Sequence, residues 1–171
     1  MKHKVLVIDT SILCVWLKVK DRENCGPDNN KWNYNRVCSV IEKEEKQGTT
    51  FVLPLATIIE TGNHITQAKG DKFSTAKALH EIIVKSADET TPWAAFTEQH
   101  ELWSPEKLKS LSEHWYKETV SSGLSLGDAS IVDVANYYFK RDFDVEILTG
   151  DEGLRAYQPD IKKPVPRRRR V

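Results

Sequence analysis

A chain of 171 residues, 39% of them apolar and five of them tryptophan, suits one compact domain with a sizeable core and excludes a disordered protein. Its three cysteines, Cys14, Cys25 and Cys38, form no CxxC pair, so free thiols are expected and a zinc site is not. Net charge is zero, yet six of the 25 basic side chains (Lys162, Lys163 and Arg167 to Arg170) stand in the last ten residues, leaving 19 against 25 acids in residues 1–161, a balance of −6.

The first apolar run, Lys4 to Ile8, is β-branched, short and followed directly by Asp9, which predicts a strand. Ile12, Val15, Trp16 and Val19 then recur at helical spacing. Arg22 to Asn35 is rich in Asn, Asp, Gly and Pro and predicts a loop. Val37, Val40 and Ile41 mark a helix that Gly48 ends. Phe51 to Leu55 predicts a second buried strand, with a helix from near Thr57. Leu79, Ile82 and Ile83 mark a third helix, with Ser74 as its cap.

Trp93 to Phe96 is a candidate short strand in the least readable part of the chain, residues 86–103. Ser104-Pro105 opens a helix continued by Leu108, Leu111 and Trp115. Ser125 opens another, which buries Ile131, Val132, Ala135 and Tyr138, and Asp144 to Thr149 is a last strand before a helical turn. Alternating strands and helices predict an α/β domain: a mostly parallel central sheet between helical layers, over residues 1–158, with a basic C-terminal tail over 159–171. No segment reaches the length of a membrane span, since Pro54 interrupts the best stretch, Phe51 to Ile59. Asp9 breaks the apolar run nearest the N-terminus, so no signal peptide is expected, and a cytoplasmic protein with no membrane partner is.

Four acids occupy related places in this layout. Asp9 and Asp151 follow strands, and Glu60 and Asp128 each lie about a turn into a helix. In open α/β sheets ligands bind beyond the carboxyl ends of the strands, so the topology can gather these acids at one edge. Gathered carboxylates repel one another unless cations neutralise them, and their hard oxygens suit Mg²⁺ or Mn²⁺. Two such ions can activate water and stabilise the leaving oxygen of a phosphodiester. Each acid also has a purely structural reading. Ser125 to Asp128 and Thr57 to Glu60 have capping-box spacing, Thr149 with Glu152 makes a third, and an acid near a helix start is stabilised by the backbone dipole. Asp9 has no such excuse: it ends an apolar strand, where an unpartnered carboxylate is costly.

Val5-Leu6-Val7-Ile8-Asp9-Thr10-Ser11 resembles the opening of a PIN-domain nuclease. Leu53 to Glu60 resembles the second acidic motif of that family, Leu124-Ser125-Leu126-Gly127-Asp128 the third, and Ile147-Leu148-Thr149-Gly150-Asp151 the last. Order and spacing match to about residue 157. The resemblance implies a PIN-like three-layer α/β/α fold and a ribonuclease activity that uses Mg²⁺ or Mn²⁺ and leaves 5′-phosphates. It implies Asp9, Glu60, Asp128 and Asp151 as catalytic metal-binding acids, with Asp9 central and Glu60 a ligand or the orienter of a water. Ser11 and Thr149 fall where hydroxyls support such a site. Members that include VapC-type toxins cleave RNA and work as dimers, which makes a homodimer, an antitoxin or other protein partner, and a toxin or defence role the matching expectations. The Arg22–Asn35 loop, the tryptophan-rich 93–115 region and the basic tail are additions to that pattern.

Other residues carry weaker signals. Asp133, five positions after Asp128, reads as a solvated or structural acid on another face. Asn63 and His64 read as surface polar groups before substrate-touching ones, and Trp32, Trp93 and Trp103 as core residues before base-stacking ones. Lys18, Lys20, Arg22, Lys31 and Arg36 are candidates for a phosphate path. The chain has no Gly-rich phosphate loop ending in Gly-Lys-Ser/Thr, no second Asp at position 11 as a haloacid-type phosphatase requires, and no context for a Cys or Ser nucleophile. The rival reading from another class is a catalytically weak PIN-like module that binds RNA or a protein.

Overall fold

The computed structural model describes residues 2–94 and 101–159. The tail Lys162 to Val171 lies outside them, as does the end of the expected Trp93–Phe96 strand. Three strands, β1 (Lys4–Ile8), β4 (Thr50–Val52) and β5 (Asp144–Leu148), form a wholly parallel sheet in the order β4-β1-β5. Two-residue strands β2 (Asn24–Cys25) and β3 (Trp32–Asn33) make a separate antiparallel pair. The chain expected as a plain loop therefore folds back on itself, around a 3₁₀ turn at Asp28–Asn30.

Side chains alternate across a strand, and β1 shows why the domain has three layers. Leu6 and Ile8 point into a core shared with α1 (Thr10–Trp16), α2 (Tyr34–Lys46), α3 (Leu55–Gln67) and α4 (Lys72–Ala87). Val5 and Val7 point into a second core, built from α6 (Leu126–Phe139) and completed by Leu111 of α5 (Pro105–His114) and Leu154 of α7 (Glu152–Arg155). No helix among the described residues is long and apolar enough to cross a membrane.

Several boundaries differ from the sequence expectation. α1 stops at Trp16, so Val19 lies beyond it, yet it is only 1% exposed and still part of the core. The second strand ends at Val52, and Pro54 caps α3, which starts at Leu55. Asp71, not Ser74, caps α4: it accepts hydrogen bonds from the Ser74 backbone N–H and hydroxyl. Ser104 caps α5 as expected, but the helix widens into a π turn at Trp115–Thr119, where the Trp115 indole donates to the Leu124 carbonyl. Trp93 forms a single parallel bridge to Phe51 at the outer edge of β4. On the opposite edge, the Gln158 amide bonds both the N–H and the C=O of Ile147, each at 2.7 Å.

Candidate metal centre

Register aligns the carboxyl ends of the strands. Ile8 sits beside Leu148, Val7 beside Val52, and the Asp9 N–H donates to the Leu148 carbonyl at 3.1 Å. Asp9 therefore leaves β1 where Thr149 leaves β5. The Asp9 side chain, 3% exposed, also caps α1. Its Oδ2 accepts from the Ser11 hydroxyl at 2.6 Å, the Thr149 hydroxyl at 2.8 Å and the Ser11 backbone N–H at 3.3 Å.

Both hydroxyls do a second thing. The Ser11 oxygen accepts from the Gly150 N–H at 3.0 Å, and the Thr149 oxygen accepts from the Asp151 N–H at 2.9 Å. Asp9 is thus tied through two side chains to the turn that carries Asp151. Burial pushes the Asp9 carboxyl above the ordinary aspartate range, and the nearby Asp128 charge adds to that, against the hydrogen bonds from Ser11 and Thr149, which oppose it.

The four acids line one pocket of about 200 Å³, together with Thr10, Ser11, Cys14, Arg22, Asn24, Cys25 and His64. Within it, each of the other three acids also has a local partner. Glu60 Oε2 accepts from the Thr10 hydroxyl at 2.9 Å. Asp128 closes a capping box with Ser125, accepting from the Ser125 hydroxyl at 2.7 Å. Asp151 caps α7 and accepts from the Gly153 and Leu154 N–H groups at 2.7 and 3.3 Å. As a result, no three His, Cys, Asp or Glu side chains among the described residues stand close enough to hold a metal ion as placed.

Two capping expectations are corrected here. Thr57 is no cap for Glu60: its hydroxyl donates to the Ile8 carbonyl at 2.9 Å, because α3 already began at Leu55. The acid of the Thr149 turn is Asp151, not Glu152.

The donor set fits a hard divalent cation by its chemistry. Four carboxylates share the pocket with a single permanently charged cation, Arg22, which makes no ion pair or side-chain hydrogen bond among the described residues. Each of the four uses one carboxylate oxygen for its local bonds: Oδ2 of Asp9, Oε2 of Glu60, Oδ2 of Asp128 and Oδ1 of Asp151. The other oxygen of each makes no hydrogen bond among the described residues.

Some residues in and around the pocket had no signal in the sequence, or a different one. Gly127 and Gly150 each directly precede an acid, and each is where another side chain approaches closely. A Cβ on residue 127 would sit 2.1 Å from Glu60 Oε1, and one on residue 150 would sit 2.3 Å from the Cys25 sulfur. Cys14 and Cys25 are free thiols, as expected, and burial raises both, Cys14 to about 11. His64 lines the pocket instead of the general surface, and burial with the Arg22 charge lowers its pKa. Asn63 is exposed and outside the pocket. Asp133 is half-buried, and burial raises its carboxyl. Trp32 and Trp93 are core residues, and the Arg36 guanidinium stacks on the Trp32 ring at 3.8 Å. Comparison of the chain with known protein families, curated proteins and solved structures finds no match.

Proposed function

We propose that this chain is a PIN-like, Mg²⁺- or Mn²⁺-dependent nuclease that hydrolyses RNA phosphodiesters. One observation carries the reading. Acids from four distant parts of the chain, Asp9, Glu60, Asp128 and Asp151, line a single pocket beyond the carboxyl ends of β1, β4 and β5. RNA as the polymer rests on the sequence resemblance alone, as do 5′-phosphate products, a homodimer, an antitoxin partner and a toxin or defence role.

Bound cations would supply Lewis acidity to a water and to the leaving oxygen. Asp9, Asp128 and Asp151 would hold them, with Glu60 as a further ligand or as the group that orients the attacking water. Ser11 and Thr149 fix the Asp9 carboxylate in one orientation from two sides. Arg22 offers the pocket its own cation for a phosphate oxygen. No side chain is consumed as a nucleophile.

A second reading has its own support. Asp128 and Asp151 are bonded to the starts of their own helices, which suits a catalytically weak PIN-like module that binds RNA or a protein. One experiment separates the two: mixed single-stranded RNAs incubated with the protein, with and without Mn²⁺, alongside Asp9→Asn and Asp128→Asn. Cleavage that needs both Mn²⁺ and both acids supports the nuclease. RNA retention without cleavage in any cation supports the binding module.

A further inference from the structure

A second cavity, of about 250 Å³, has a lining that includes Lys18, Lys20, Lys69, Lys72 and Asp71. Four lysines against one acid is a local excess of positive charge on a body whose balance over residues 1–161 is −6. Asp71 is already committed to capping α4 through Ser74. Of the lysines, Lys72 donates to the Thr66 carbonyl at 2.6 Å, Lys18 lies over the Tyr34 ring at 3.9 Å, and Lys20 is 3.5 Å from Glu23. Lys69 makes no ion pair or side-chain hydrogen bond among the described residues.

The two cavities draw lining residues from the same two segments. Glu60 and His64 line the acidic pocket and Ala68 lines the basic one, at a four-residue spacing that puts them on one face of α3 and at its end. Lys18 and Lys20 line the basic cavity, and Arg22, two residues on, lines the acidic one. At about 1.5 Å per residue, Glu60 and Ala68 are roughly 12 Å apart along the helix. A strand of nucleic acid, with a negative charge at every step, can place phosphates over such a span.

We infer that the Lys18–Lys20–Lys69–Lys72 cavity is a phosphate-binding subsite for the backbone of a single-stranded nucleic acid whose neighbouring phosphodiester occupies the acidic pocket. This rests on the nuclease reading for what happens in that pocket, but the binding itself does not require cleavage. Lysine is a point-charge binder of phosphate and reads no sequence, so the subsite adds affinity and register along the strand without base preference.

The test is a Lys20→Gln/Lys69→Gln double variant. Lys18 is avoided because its backbone is left-handed (φ 55), and Lys72 because it ties down Thr66. Binding of labelled single-stranded RNAs of about 4 to 16 nucleotides is followed by fluorescence anisotropy with a chelator present, across a salt series. Each phosphate neutralised on a single strand contributes a slope of about −0.7 in log affinity against log salt, so the double variant should lose about 1.4 from the slope's magnitude. It should also lose affinity for the longer strands more than for the shortest. A control variant, Lys46→Gln/Lys109→Gln, removes two exposed lysines that do not line the cavity and should keep the parent slope. An unchanged slope in the double variant overturns the subsite, and so does an equal loss in the control. Tighter salt-dependent binding to polyglutamate than to RNA would reassign the cavity to an acidic protein and overturn it too. If the RNA result holds while no cation produces cleavage, the subsite stands and the nuclease reading falls; if cleavage is found with an unchanged slope, the reverse.

Discussion

Gly127 lies directly under the Glu60 carboxyl, so close that a Cβ on residue 127 would come within 2.1 Å of Glu60 Oε1. This glycine lets the start of α6 approach α3, and Asp128, the next residue, arrives at the pocket with it. Gly127→Ala is therefore expected to move the Glu60 carboxyl, which is the far end of a flexible side chain, and not the backbone. Inside a helix Ala is otherwise favoured over Gly by about 1 kcal/mol. The expected result is a melting free energy within about 1 kcal/mol of the parent and cleavage reduced by about tenfold, the equivalent of about 1.4 kcal/mol in the barrier. Chemical denaturation and an RNA cleavage assay on the same preparation check both halves.

Asp9→Asn and Asp128→Asn remove charge from a crowded set of carboxylates. In Asp9→Asn the amide oxygen still accepts the Ser11 and Thr149 hydrogen bonds, and Asn is as good a helix cap as Asp; in Asp128→Asn it still accepts from the Ser125 hydroxyl. Without divalent cation, stability near neutral pH should be unchanged or raised, because repulsion between Asp9 and Asp128 has been relieved and, in Asp9→Asn, a buried charge has been removed as well. Saturating Mn²⁺ stabilises a specific binder by about 2.7 kcal/mol at a hundred times its dissociation constant. That gain should be present in the parent and reduced in both variants, with cleavage abolished. Full Mn²⁺-dependent cleavage in either variant would remove that residue from the list of ligands, and unfolding of both would make the acids structural.

Glu44 gives a pH prediction away from the pocket. It is 6% exposed on α2, 2.7 Å from the Lys4 ammonium, and accepts from the Thr49 hydroxyl at 2.7 Å. Burial alone would raise its pKa, but the hydrogen bonds from Lys4 and Thr49 and the lysine charges together bring it below the ordinary glutamate range. A carboxyl with a depressed folded pKa contributes stability that is complete above its unfolded value, about 4.3, and that is lost as pH falls through the folded value. Glu44→Gln should cost about 1–3 kcal/mol near neutral pH, and the gap to the parent should close in acid below about pH 4. Urea melts at several pH values measure this. A gap independent of pH would mean that packing, and not charge, sets the loss.

Removal of residues 162–171 addresses the tail, which carries six basic side chains and no acid. If about four of those charges engage a single strand, the salt slope should shrink in magnitude by about three units while cleavage by the bound complex survives. If the tail instead occupies the acidic pocket, truncation raises turnover, most clearly at low salt. Superimposable binding and turnover curves for the two forms would assign it neither role.

The placement of the acids was legible in the sequence because local signals announce the elements that carry them. A β-branched run ends at Asp9, Ser125 caps the helix before Asp128, and the last strand stops at Leu148. The carboxylate shell was less legible for a physical reason: the choice between facing a cation and capping a helix is made by side-chain torsions, not by sequence spacing. Glu60 shows this best. Its capping-box spacing from Thr57 was misleading, since the Thr57 hydroxyl is taken by Ile8, 49 positions away. Long-range pairings hid other features as well. Glu44 has no signal of its own in the sequence, because its partners Lys4 and Thr49 lie outside its helix. The basic cavity joins Lys18 and Lys20 to Lys69 and Lys72 across a gap in sequence that no short window spans.

The Gln158 amide, which satisfies both backbone groups of Ile147, has a consequence for how copies of this chain meet. An exposed parallel edge is a template on which a foreign strand can grow. Here a single side chain plays the part of one strand residue and plugs the ladder near its carboxyl end, while the Arg155 guanidinium takes the Thr149 carbonyl at 3.0 Å. Growth of the sheet by strand addition at β5 must first displace that plug. Gln158→Leu would unplug it, and the cost would appear as concentration-dependent aggregation rather than as a lower melting point.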